Sequence, residues 1–150
     1  MSEERIRILI ADDHSVVRKG LIMVLQLEPE FDVIGEAGEG KAAVDLARRM
    51  KPDLVLLDRM MPDQDARVTA EALRVNLPET RILILTGTQV DSGVVDLLAA
   101  GVDGYVFKDI EPGELKQAIR SVMKGEAYLH PSIARQLLNR MQNPPVTPQD

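Results

Sequence analysis

The chain has no cysteine and no tryptophan, and only 3% of its 150 residues are aromatic. Without cysteine there are no disulfides and no thiolate metal centres, which suits a reducing compartment. With so few rings, Leu, Ile, Val, Ala and Met must fill the core, within an apolar fraction of 45%. Long hydrophobic runs are also missing. None approaches the roughly 20 residues that a membrane span needs, so no membrane contact is expected. The start, Met1-Ser2-Glu3-Glu4-Arg5, carries acids where a secretory signal has basic residues and a long apolar stretch, so the expected location is cytoplasmic. Positive charge is in short supply. Eighteen Lys and Arg stand against 24 Asp and Glu, a formal net charge of −6, which argues against nucleic-acid binding by this stretch itself. The length suits one domain with a substantial core.

Short apolar, largely β-branched runs alternate with longer amphipathic ones. That pattern predicts a parallel sheet with helices on both faces. Strands are expected at residues 6–11, 32–36, 53–58, 81–86 and 104–107. The first helix follows Asp13, with Val17, Leu21, Val24 and Leu25 on one face, and Pro29 stops it. Further helices are expected at 41–50, 68–75 and 94–100, the last ending at Gly101, a good C-cap residue. A fifth opens on Glu111-Pro112, with Leu115, Ile119 and Val122 as its core face. The result is a doubly wound (βα)5 α/β fold, flavodoxin-like, with a five-stranded parallel sheet in the order 2-1-3-4-5. Beyond it, Pro131-Ser132 starts a C-terminal linker helix with Ile133, Leu137 and Met141 on one face, and a proline-rich tail follows.

Four of the predicted strands end in chemically useful groups. The first ends in Asp12-Asp13, the third in Asp58, the fourth in Thr86 and the fifth leads into Lys108. Open α/β sheets bind ligands outside the carboxyl ends of their strands, where strand order reverses. The expected order brings these four ends together: three carboxylates, a hydroxyl and an ammonium. Three carboxylates repel one another, and their ionised forms need cations. Lys108 supplies one charge. Mg²⁺ is the natural second, being a hard ion that takes carboxylates, waters and phosphate oxygens. A phosphoryl group is the expected reacting partner, and a carboxylate attacking phosphorus gives an acyl phosphate.

The chain resembles response-regulator receiver domains, and specifically those of the NarL/FixJ branch (LuxR-type helix-turn-helix regulators of two-component systems). The resemblance is carried by Ala11-Asp12-Asp13-His14, Val17-Arg18-Lys19-Gly20-Leu21, Val33-Ile34-Gly35-Glu36-Ala37, the run Pro52 to Asp58 with Met61-Pro62, Leu85-Thr86, and Ala100 to Tyr105 with Phe107-Lys108-Asp109. It implies that Asp58 accepts phosphate from a sensor histidine kinase. Asp12 and Asp13 would hold Mg²⁺ together with Asp58 and the backbone carbonyl of Met60. Thr86 and Lys108 would bond the phosphoryl oxygens, and Tyr105 would be a switch that turns inward as Thr86 moves. It also implies a receiver over residues 1–128 and a linker over 129–150. DNA would be reached only through an output domain that this sequence lacks. Homodimer contacts would use helices 1 and 5 or the helix 4 region, and the sequence chooses neither.

The departures are specific. Where the family usually has Gly beyond Met-Pro, this chain reads Asp63-Gln64-Asp65-Ala66, so a different turn into helix 3 is expected. Arg59, Met60 and Thr88 border the expected site. His14 adjoins the acids, but imidazole suits Mg²⁺ poorly, and an exposed first-turn residue is expected instead. Asp12 and Asp13 have a competing reading as helix N-caps, and Asp13 could do both jobs. Two other functions stand beside the phosphorylation switch. One is a receiver-like scaffold that works without phosphorylation. The other is an aspartyl-phosphate phosphatase, disfavoured because Met60 stands where such enzymes usually place an acid. The reading is therefore a switch and not a turnover enzyme.

Overall fold

The computed structural model describes residues 4–87 and 92–142. Thr88 and the proline-rich tail lie outside the described residues. Six parallel strands form one sheet in the order β2-β1-β3-β4-β5-β6. They are β1 (Ile6–Ala11), β2 (Phe31–Ala37), β3 (Leu54–Asp58), β4 (Arg81–Thr86), β5 (Gly104–Phe107) and β6 (Tyr128–Leu129). The helices are α1 (Ser15–Gln26), α2 (Gly40–Met50), α3 (Ala66–Asn76), α4 (Ser92–Ala99), α5 (Pro112–Met123) and α6 (Pro131–Gln142).

Alternation along the strands separates two cores. Ile8, Ile10, Leu54, Leu56, Leu83 and Val106 face α1 and α5. Leu9, Val55, Leu57, Ile82, Ile84 and Tyr105 face the opposite side, with α2, α3, α4 and α6. β1 and β3 sit mid-sheet and are covered on both faces, which explains their unbroken apolar runs. Turn chemistry sets the ends. Pro112 opens α5, and Gly101 and Gly125 take φ of +97° and +88° after α4 and α5. Lys51, just before Pro52, ends α2 in the left-handed region at φ 51°, unusual without glycine.

The expected sheet of five strands is corrected to six. A two-residue strand is too short to show periodicity, so β6 left no signal. It pairs Tyr128 with Gly104 and Leu129 with Tyr105, covering what would otherwise be an open edge of β5. Gly104 permits the approach, because a Cβ there would stand 2.9 Å from the Tyr128 carbonyl oxygen. α6 then returns over the α4 face, burying Ile133 and Leu137 in the same core as Tyr105. Met141, expected on that apolar face, is 75% exposed at the far end of α6.

Candidate functional site

Asp12 and Asp58 come from neighbouring strands, and burial of both strands carries their carboxylates inside. Asp12 is 0% exposed and Asp58 1%. Lys108 arrives from the turn after β5, held by its own amide on the Thr86 carbonyl at 2.7 Å. Its Nζ lies 2.9 Å from Asp58 Oδ2 and 3.2 Å from Asp12 Oδ2. One ammonium thus faces two buried carboxylates. Burial raises the pKa of Asp58 above the ordinary range, reinforced by Asp12 and opposed by the Lys108 and Met60 hydrogen bonds. Burial alone would lower the pKa of Lys108, but Asp58 and Asp12 together raise it, so the ammonium stays charged.

The remaining oxygens are arranged unevenly. Asp58 Oδ1 accepts the Met60 amide at 3.1 Å, and Asp12 Oδ1 accepts the His14 amide at 2.7 Å. Asp12 Oδ2 is buried and accepts no hydrogen bond, with the Lys108 ammonium as its charged neighbour. Asp13 lies at the solvent side of the cluster, about a third exposed. Donor atoms from Asp12, Asp13, His14 and Asp58 all fall within 4.8 Å of one another. A buried carboxylate oxygen without a hydrogen bond, among two further carboxylates, fits a hard divalent cation.

The profile of the response regulator receiver domain family matches residues 8–120. The chain belongs to this family. Among curated relatives, the response regulator protein VraR of Staphylococcus aureus is 34% identical over 137 residues. That match takes in 91% of this chain and 66% of the relative, so the chain spans just under two thirds of the length of the curated relatives it matches. Among solved structures, a LuxR-family two-component response regulator from Aurantimonas sp. SI85-9A1 is 31% identical, with a TM-score of 0.87. The match covers 93% of this chain and 100% of that one. The receiver domain of the putative regulator NarL from Mycobacterium tuberculosis is 34% identical, with a TM-score of 0.78 over 83% of this chain and 100% of that one. The NarL-like branch and the doubly wound fold expected from sequence therefore hold. This is a receiver domain of a two-component system with LuxR-family relatives.

The receiver domain places its sequence-predicted residues as follows. Asp12, Asp13, Asp58 and Lys108 converge. Thr86 ends β4 next to that group and is 4% exposed. Tyr105 is fully buried, pointing into the core lined by Val94, Leu97, Ile133 and Leu137. Met60 directs its side chain outward at 71% exposure and forms an isolated antiparallel bridge to Asp65, which folds the loop after Asp58. Neither Asp12 nor Asp13 is the N-cap of α1; His14 occupies that position. Met61 packs against the core.

Several working residues had no motif to reveal them. Asp63 accepts the Gly40 and Lys41 amides at 2.7 and 2.9 Å, capping α2 from a different loop. Those amides, Lys41 foremost, hold its carboxyl below the ordinary pKa range. Asp65 caps α3 through the Arg67 amide at 3.0 Å. Ala66, in the glycine position of the family, starts α3 with its methyl wholly buried, so the turn forms without glycine. Arg18 donates to the Asp12 carbonyl at 2.5 Å and to Glu36 at 2.8 Å, steadying the strand end that carries Asp12. Arg18 lies in the Val17–Leu21 motif, but its role did not show there, since its partners are Glu36 of β2 and the carbonyl that follows β1.

Proposed function

We propose that this receiver is a phosphorylation switch in which Asp58 takes a phosphoryl group from the phosphohistidine of a sensor kinase. The observation that carries the reading is one ammonium, Lys108, within 2.9 and 3.2 Å of two buried carboxylates at adjacent strand ends. In the reaction an Asp58 oxygen forms a bond to phosphorus while the bond from phosphorus to the donor nitrogen breaks. The electron pair leaves with that nitrogen, and an acyl phosphate remains on Asp58. Asp12, Asp13, Asp58 and the Met60 carbonyl are the residues that would hold Mg²⁺. When bound, that ion neutralises charge on the carboxylates and the phosphoryl oxygens. Lys108 exchanges part of its pairing with Asp58 for a phosphoryl oxygen, and the Thr86 hydroxyl donates to another. An Asp58 phosphate adds charge and acceptor oxygens, favouring the arrangement in which Thr86 and Lys108 are drawn inward.

The proposed output path follows the packing. Tyr105 shares its core with Ile133 and Leu137 of α6, and its strand pairs with β6. A shift at Thr86 and Tyr105 is thereby transmitted to the linker formed by residues 129–150, which would lead to a DNA-binding output domain. Charged side chains on α1 and α5, one of the two expected dimer faces, are largely engaged within the chain. Lys116 meets Glu28 at 3.0 Å, Arg120 meets Glu30, and Arg18 meets Glu36. A homodimer would therefore rest on other groups. Candidates are the exposed Val16 and Met23 on one side of α1, or the α4 region.

Intact mass after incubation with Mg²⁺ and a small acyl phosphate tests the chemistry. Wild type should gain one phosphoryl group and Asp58→Asn none. An unmodified wild type, or an adduct that persists in the variant, would sink the proposal. Light scattering with and without beryllofluoride tests the coupling to association.

A further inference from the structure

The loop after Asp58 is tied at both its root and its tip. At the root, the Arg59 amide donates to the Leu85 carbonyl at 2.8 Å, and the Met60 amide donates to Asp58 Oδ1 at 3.1 Å. Met60 then bridges to Asp65, so residues 61–64 form a closed tip. That tip is held from outside by α2. Asp63 Oδ1 accepts the Gly40 amide at 2.7 Å, and Oδ2 accepts the Lys41 amide at 2.9 Å. Gly40 and Lys41 open α2, where amides have no partner within the helix. Glu39, the N-cap residue of α2, makes no side-chain cap of its own.

A second contact meets the first at Gly40. A Cβ there would stand 2.5 Å from Thr69 Oγ1 and 2.6 Å from Gln64 Cγ, so the start of α2 lies directly against the tip and the first turn of α3. Gln64 Nε2 donates to Thr69 Oγ1 at 2.8 Å, and Thr69 is fully buried. One contact is polar and directional, and the other is steric. The two amides, Lys41 foremost, keep the Asp63 carboxylate ionised at neutral pH, so the polar contact is charge-assisted.

We propose that Asp63 is a positioning residue for the phosphoacceptor: by fastening the loop tip to the start of α2, it sets where Met60 stands against Asp58. The consequence for magnesium rests on the reading given above, in which the Met60 carbonyl is a ligand. Asp63 acts through the loop, with Met60 as the last link. The Met60 amide orients one oxygen of Asp58, and the same residue offers its carbonyl to the ion. A tip freed from α2 lets both groups drift, and functional constellations tolerate only about 0.5 Å of misplacement.

The test compares Asp63→Ala, Asp63→Asn and Gly40→Ala with Asp53→Ala, each in the whole chain. Asp53 accepts the Arg7 amide at the opposite end of β3, so its variant reports lost stability alone. Two quantities are measured: hydrogen exchange of the Met60 amide without metal, and Mg²⁺ affinity by calorimetry. Asp63→Ala should speed Met60 exchange and weaken Mg²⁺ binding, each about tenfold. Asp63→Asn keeps an acceptor for α2 and should return Mg²⁺ affinity to within about threefold of wild type. Gly40→Ala keeps the Asp63 carboxylate but wedges the tip away, and should weaken Mg²⁺ binding as Asp63→Ala does. Asp53→Ala should leave both quantities near wild type. Met60 exchange or Mg²⁺ affinity unchanged in Asp63→Ala, or losses matched by Asp53→Ala, would overturn the proposal. Wild type that binds no Mg²⁺ overturns the magnesium reading instead, and Met60 exchange then decides the positioning role by itself.

Discussion

Asp58 is held at a cost that its neighbours only partly relieve. Its pKa is raised by burial and by Asp12, against the pull of Lys108 and the Met60 amide. A carboxyl whose folded pKa exceeds its unfolded one favours folding most when protonated. That contribution is complete below the ordinary aspartate value and is lost as pH rises through the folded value. Metal-free Asp58→Asn should therefore melt a few degrees above wild type at neutral pH. The gap should close as pH falls below the ordinary aspartate range. Thermal melts across pH decide it, and a variant no more stable than wild type at neutral pH would refute the account. The residue identities behind this strain are legible in sequence as strand-end acids. The strain itself is not, because desolvation depends on how many other strands and helices cover the site.

Two elements carry predictions of their own. The first is the β6–α6 unit. Ile133 is fully buried, and truncating such a side chain costs about 2–5 kcal/mol. Ile133→Ala should release α6 locally: its amides should lose hydrogen-exchange protection while those of β1 and β3 keep theirs. Gly104→Ala should loosen β6 as well, since its methyl would meet the Tyr128 carbonyl oxygen at 2.9 Å. The second is the clamp from α3. Arg74 donates to the carbonyls of Pro78, Thr80 and Gly101 at 2.8 to 2.9 Å and pairs with Asp103 at 3.1 Å. It ties the end of α3 to the turn between α4 and β5. Arg74→Ala strands several carbonyls and should cost about 1–3 kcal/mol in chemical denaturation. Helix existence was readable from periodicity and from Pro112, Gly101 and Gly125. The starts of α3 and α4 came two residues earlier than apolar spacing indicated. Caps such as Asp65 lie outside that spacing.

For the molecule as a whole, the proposed ion binding would be linked to folding. The carboxylates that would hold the ion meet only when β1 and β3 are paired. Mg²⁺ should therefore raise the unfolding free energy by mass action, about 2.7 kcal/mol at one hundred times its dissociation constant. Asp13→Asn should flatten that dependence. A melting temperature indifferent to Mg²⁺ in wild type would count against the magnesium site. Among the described residues no helix is long and apolar enough to cross a membrane.

The sequence by itself determined the alternation of strands and helices, the two-sided burial of the central strands, and the chemistry at four strand ends. These follow from local periodicity and from residue type, which a linear pattern records. Tertiary structure decided the rest. It placed the Lys108 ammonium between Asp58 and Asp12, turned His14 toward the acids, capped α2 with Asp63 from another loop, and added β6 to the edge of β5. Each of these joins groups distant in sequence or sets a side-chain direction. Such contacts depend on the packing of the whole chain, and no local pattern encodes them.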